Sequence, residues 1–140
     1  MYLTEDEIRD NAKVILGFDE KDPGVKQGTG QITTFNQLGF KGVSDKPDGW
    51  YLPNDKQDIA IILETKSEKE DVFSENHYAE LVKNVEIAAQ QYKRVVGILY
   101  NGTDVRVIKY IKGSGQYEEI ADVAKTLQNK RYYIALFKEN

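Results

Sequence analysis

A chain of 140 residues with 40% hydrophobic residues and nine tyrosines can bury one packed core but not two, so a single domain is expected. It has no cysteine and one histidine, His77. That excludes disulfides, thiolate zinc sites, cysteine nucleophiles and histidine-rich metal centres, and leaves oxygen-ligated ions such as Mg²⁺ or Mn²⁺. The net charge of -4 argues against tight autonomous binding of nucleic acid, which depends on neutralising phosphates, but not against a catalytic domain whose partner domains supply the grip. No apolar run approaches the roughly 20 residues of a membrane span. The polar, acidic N-terminus is unlike a signal peptide, so a cytoplasmic protein with no membrane association is expected.

Residues 4–16, TEDEIRDNAKVIL, have the pattern of a capped helix. Thr4 is the N-cap, Glu7 three residues on completes a capping box, and Gly17 is a suitable stop. Ile8, Ala12, Ile15 and Leu16 form its apolar stripe. Residues 18–31 read as a loop. Its Gly28-Thr29-Gly30 lacks the spacing and lysine of a nucleotide-binding loop. Residues 32–40, rich in Thr, Ile and Phe, predict a first strand, 48–52 a second and 57–66 a third. The third carries a continuous apolar run, Ile59 to Leu63, which predicts a central strand covered on both faces.

A charged connection follows, and then the longest helical pattern of the chain. Tyr78, Leu81, Val82, Val85, Ala88, Ala89 and Tyr92 recur at steps of three and four over 77–92. Residues 94–100 predict a buried strand, Asn101-Gly102 a hairpin turn, and 104–110 the returning strand. A turn at 112–115 leads to helical spacing over 117–127 (Ile120, Val123, Ala124, Leu127) and a last helix over 131–137. The expected fold is α/β, a mixed central sheet flanked by helices, with 57–66, 77–92 and 94–100 forming a parallel crossover.

Three polar residues stand out against this frame. Glu64 and Lys66 end the apolar strand and, two apart, point to one face while Thr65 points away. Asp48 opens the strand before it. Two carboxylates on adjacent strands, with the Thr65 backbone carbonyl, make an oxygen donor set for Mg²⁺, with Mn²⁺ as a substitute. Such an ion polarises a phosphoryl oxygen and acidifies bound water. Neighbouring carboxylates hold a lysine in its charged form, so Lys66 reads as an orienting and charge-offsetting group rather than a base. Lys41, Lys46, Lys56 and Lys66 supply a local basic bias near these residues. His77 reads as a residue of the helix start and Trp50 as core or rim.

Pro47-Asp48, fifteen intervening residues, then Glu64-Thr65-Lys66 resembles the signature of the PD-(D/E)xK nuclease superfamily. The order helix, three strands, helix, strand resembles its restriction-endonuclease-like core. The resemblance spans about residues 4–110 and implies Asp48 and Glu64 as metal ligands and Lys66 as the catalytic lysine. Many members add an acidic residue from the first helix, for which Glu7 is the candidate beside its capping-box role.

Within the superfamily the KPDGWYL segment and the VVGILYNGTDVRVIKY hairpin are most similar to the N-terminal nuclease domain of type I restriction R (motor) subunits. Those domains often carry Gln-x-x-x-Tyr on the helix after the lysine. Here Ala88 stands four residues before Tyr92, leaving Gln90, Gln91 and Tyr92 as candidate DNA contacts. The resemblance implies a Mg²⁺-dependent endonuclease domain cutting double-stranded DNA. It would be a fragment of a larger restriction protein, working with helicase/translocase and methyltransferase-specificity components. The alternatives are a recombination or repair exonuclease of the same fold, and a catalytically silent DNA- or protein-binding module.

Overall fold

Thr4 caps the first helix as its sequence demands. In the computed structural model, which describes residues 2–114 and 116–137, α1 spans Glu5–Leu16. The Thr4 hydroxyl accepts from the Glu7 N–H at 3.2 Å, and the Glu7 carboxylate accepts from the Thr4 N–H at 3.0 Å. Gly17 ends the helix in the left-handed conformation, φ 81°. Ile8, Ala12 and Leu16 are buried as expected. Ile15 is not, being 40% exposed, and Arg9 is buried instead. The helix is rolled toward its Arg9 side, which aims a guanidinium at one end of the sheet.

Six strands follow in spatial order β1 to β6. β1 (Val25–Thr29), β2 (Gly49–Pro53) and β3 (Ala60–Thr65) form an antiparallel meander. Helix α2 (Glu75–Ala88) then carries the chain across to β4 (Arg94–Tyr100), which is parallel to β3. β5 (Val105–Ile111) and β6 (Tyr117–Glu119) return antiparallel, and a short α3 (Lys130–Ala135) ends the described chain.

The fold is thus α/β, a mixed sheet flanked by three helices. β3 is buried along its whole length, as its apolar run requires. Its side chains alternate between two cores. Ala60 and Ile62 meet Trp50, Leu52, Leu81 and Val85 on the α2 side, while Ile61 and Leu63 meet Ile8, Ala12 and Tyr133 on the α1 and α3 side.

Three expected elements differ. The first strand lies at Val25–Thr29, inside the segment read as a loop, and a Cβ built on Gly28 there would stand 3.1 Å from the Trp50 ring. Gly28-Thr29-Gly30 is therefore strand and strand end. Residues 32–40 are a folded loop with a 3-10 turn at Asn36–Leu38. Thr34 and Gln37 bond each other's backbone N–H in a capping-box manner, and Phe35 and Phe40 meet edge to face. The β propensity of this stretch reflects aromatic burial rather than sheet pairing.

Residues 117–127 begin as edge strand β6, since Tyr117 to Glu119 find open partners on β5; the remainder is turns. Within the turn expected at 112–115, Gly115 lies outside the described residues. α2 starts two residues earlier than expected, at a Ser74 N-cap, and ends at Ala88, before Gln90. Among the described residues no helix is long and apolar enough to cross a membrane.

Candidate active site

The β2–β3 register places Gly49 opposite Leu63. One step further, Asp48 comes level with Glu64, and alternation sends both side chains to the α2 face with Trp50, Leu52 and Ile62. The pairing leaves ladder geometry here. The Thr65 N–H donates not to backbone but to Asp48 Oδ2 at 2.8 Å, and the Thr65 hydroxyl reaches the same oxygen at 3.3 Å. Asp48 is held from behind as well, because its carbonyl accepts from the Gly30 N–H at 3.0 Å. Its carboxylate is therefore held by β3 and its backbone by the residue that follows β1.

Glu64 is 4% exposed, with Asn84 of α2 donating from Nδ2 to Oε2 at 2.6 Å. Burial, and then the charge of Asp48, push the Glu64 carboxyl well above the usual carboxylate range. Burial raises Asp48 too, although the Thr65 N–H pulls it partly back. Lys66 continues the β3–β4 ladder, its N–H donating to the Tyr100 carbonyl at 2.9 Å. Its Nζ meets Glu80 of α2 at 3.0 Å. Burial acts to lower the Lys66 pKa, but the Glu80 bond and the surrounding carboxylates outweigh it and the net shift is upward. An ammonium so held is a charge, not a base.

The α1 acid that senses this cluster is Glu5, not Glu7. Glu5 is raised by burial and by Asp48, and it feels Lys66. Glu7 is spent on the capping box, where the Thr4 N–H lowers its pKa. Glu5 also pairs with Arg9 at 3.6 Å, and Arg9 meets Asp6; the charge of Arg9 acts on Asp48.

Four residues absent from the sequence reading thus join the cluster: Glu5, Arg9, Glu80 and Asn84. A sequence signal existed for two of them. Glu80 and Asn84, four apart on the helix after Glu64-Thr65-Lys66, occupy one helical face.

The structure does not bring Gln90, Gln91 and Tyr92 to this cluster. They precede β4, at the opposite end of the parallel strands from Glu64. Gln91 Nε2 donates to the Gly39 carbonyl at 2.8 Å. Tyr92 is 1% exposed, donates its hydroxyl to the Pro53 carbonyl and accepts from Lys56 Nζ at 3.1 Å. Lys56 is therefore remote too, while Lys41 and Lys46 are exposed on the loop before Asp48. His77 sits in the first turn of α2, 3.0 Å from Glu70, and Trp50 is core.

The carboxylates of Glu5, Asp48, Glu64 and Glu80 outnumber the cations Arg9 and Lys66, so the sheet end carries excess negative charge in its ionised state. Among the described residues no three Asp, Glu or His side chains converge as a preformed metal cage. The donor set is leaner: Asp48, Glu64 and the Thr65 carbonyl, which faces β2 because a strand residue's N–H and C=O point to the same neighbour. Two carboxylates whose ionisation is opposed by burial and by each other fit a hard divalent cation that keeps part of its water shell.

A cavity of 840 Å³ lies between β5 and the loop after β6, lined by residues such as Phe73, Arg106 and Val123, and contains none of the cluster residues. The cluster lies instead at the end of the sheet. No family model, curated protein or solved structure matches the chain.

Proposed function

We propose that this chain is a Mg²⁺-dependent DNA endonuclease domain of the PD-(D/E)xK type with a restriction-endonuclease-like core, acting within a restriction system as type I R subunits do. The observation that carries the reading is the placement of Asp48 level with Glu64 across β2 and β3, with the ammonium of Lys66 beyond Glu64 on the same strand. The element order α1, three strands, α2, β4 supports it, with Val25–Thr29 as the first strand.

In this reading Asp48, Glu64 and the Thr65 carbonyl hold the cation. When bound, the cation polarises a phosphoryl oxygen and acidifies a water. The chain's own residues do the rest. The Thr65 N–H fixes the Asp48 carboxylate and Asn84 fixes Glu64, so the donors are set before substrate arrives. Lys66 orients the attacking water and offsets charge growing on the phosphorus oxygens, a role that an always-charged amine performs without proton transfer. Glu5 adds negative charge at the rim. The partner is double-stranded DNA, and helicase/translocase and specificity components would supply the grip that a chain of net charge -4 lacks.

The test is cleavage of covalently closed plasmid with Mg²⁺ or Mn²⁺, in the intact restriction complex, by the wild type and by Lys66→Ala. Loss of nicking and linearisation in the variant is expected, and undiminished cleavage removes the assignment. Cleavage confined to DNA with free ends would favour the exonuclease alternative.

A further inference from the structure

Strand β3 and helix α2 meet in a two-rung ladder. Glu64 and Lys66 are two residues apart on the strand, a rise of about 6.6 Å; Glu80 and Asn84 are four apart on the helix, a rise of about 6 Å. The spacings match and the directions oppose, so the contacts pair in order. Asn84 bonds Glu64 at 2.6 Å, and Glu80 bonds Lys66 at 3.0 Å.

Beyond the upper rung lies His77, which bonds Glu70 rather than Glu80. The second Glu80 oxygen lies 3.8 Å from His77 Nδ1, and His77 Nε2 lies 3.0 Å from Glu70 Oε1. The loop bearing Glu70 is tied in turn by Asn101, whose Nδ2 donates to the Glu70 carbonyl at 2.7 Å. The lower rung is buried against the core, with Asn84 5% exposed between Leu81 and Val85.

We propose that Glu80 is a positioning residue for Lys66: it holds the ammonium at the strand end beside Glu64 and acts on the reaction only through it. The proposal rests on the nuclease reading. A free lysine carries four rotatable bonds and strong hydration, and would sample solvent rather than one point beside a phosphate. Glu80 confines it through the 3.0 Å bond to its Nζ. The same carboxylate places a negative charge where a DNA phosphate must approach. Glu80 therefore works in opposite directions on binding and on turnover. A residue with a merely structural role would not produce that split.

The experiment uses the full chain in its restriction complex, comparing wild type with Glu80→Gln. Glu75→Gln, an exposed acid of the same helix outside the ladder, controls for the lost charge. In Glu80→Gln, kcat should fall about 10- to 100-fold while KM for DNA stays level or falls. In Glu75→Gln, kcat should hold.

An independent readout is the ¹⁵N-resolved lysine ammonium spectrum of the 140-residue chain, with the Lys66 signal assigned by its loss in Lys66→Arg. A signal protected from solvent exchange in wild type and in Glu75→Gln, and lost in Glu80→Gln, supports the rung. Unchanged kcat in Glu80→Gln overturns the proposal, as does a Lys66 signal indifferent to it. If the wild type cuts no DNA, the nuclease reading falls, and the spectrum alone decides whether Glu80 holds Lys66.

Discussion

The Thr65 N–H donates to Asp48 Oδ2 at 2.8 Å, so the residue between Glu64 and Lys66 is also the clamp on the other acid. One short stretch of backbone thereby carries Glu64 and Lys66 and clamps the Asp48 carboxylate. The arrangement costs stability in the absence of a cation, because Glu64 is buried beside Asp48 with a single donor from Asn84.

Glu64→Gln should therefore stabilise the cation-free protein while abolishing cleavage. The glutamine carbonyl keeps the acceptor for Asn84 and removes the charge facing Asp48. A gain of about 1–2 kcal/mol is expected, or about 3 °C or more in Tm. Thermal unfolding in chelator checks it, and a lower Tm than wild type would contradict the account of a strained carboxylate pair.

The pH dependence follows from the direction of the same shifts. Asp48 and Glu64 are both raised in the folded protein. As pH rises above the ordinary carboxylate range, the unfolded chain releases these protons first while the folded pair still holds them. The folded state then binds more protons, and stability contributed by the pair falls as pH rises until both have ionised. Glu7 and Glu20 are lowered and act oppositely, their contribution being lost as pH falls. The difference between wild type and Glu64→Gln isolates the pair. The advantage of the variant should widen from about pH 5 towards pH 8. Added Mg²⁺ or Mn²⁺ should raise the wild-type Tm more at the upper end, and leave Glu64→Gln nearly unmoved. A gap that narrows with pH would contradict it.

Glu5 and Glu7 offer a test within one helical turn. Glu5→Gln should lower cleavage about tenfold, because its charge interacts with those of Asp48 and Lys66. Glu7→Gln should leave the rate close to wild type and weaken the helix start slightly, since its carboxylate serves the Thr4 N–H. Cleavage assays on both variants, with circular dichroism melts, separate the roles. The reverse pattern would restore Glu7 as the α1 contributor.

These two residues also mark where sequence legibility ends. Strong periodicity located α1, β2, β3, α2, β4 and β5, because each buries a continuous face and the apolar pattern records it. Asp48, Glu64 and Lys66 were visible because they interrupt or close such patterns. β1 was hidden because VKQGT is a polar strand at the sheet edge with few apolar positions. Residues 32–40 misled in the other direction, Phe35 and Phe40 being buried by a loop. The choice between Glu5 and Glu7 depends on how α1 is rolled. That roll buries Arg9 and exposes Ile15, and is set by tertiary contacts rather than by helical spacing. Tyr92 followed the spacing of α2 but lies past its end, where the chain has turned back to enter β4.

Gly49 joins fold to site most directly. It follows Asp48 and faces Leu63, and a Cβ built on it would stand 2.8 Å from Leu63 Cδ2 and 2.9 Å from Leu63 Cβ. The second contact cannot be relieved by swinging a side-chain tip, because Leu63 Cβ is fixed to a strand buried on both faces. Gly49→Ala must therefore push β2 away from β3 at the point where Asp48 meets Thr65. The loss in stability should be about 1–3 kcal/mol, as for other overpacked cores. The loss in cleavage should be larger, about 100-fold, because displacing a reacting group by a fraction of an ångström to 1 Å is that costly. Restoring space with Leu63→Gly in the same chain, which removes Cβ as well as Cδ2, should return part of the cleavage rate even though it opens a cavity on the other side of the residue. Denaturant unfolding and plasmid cleavage on the two single variants and the double variant form the cycle. Purely additive losses in cleavage would mean that the Gly49–Leu63 approach does not set the position of Asp48.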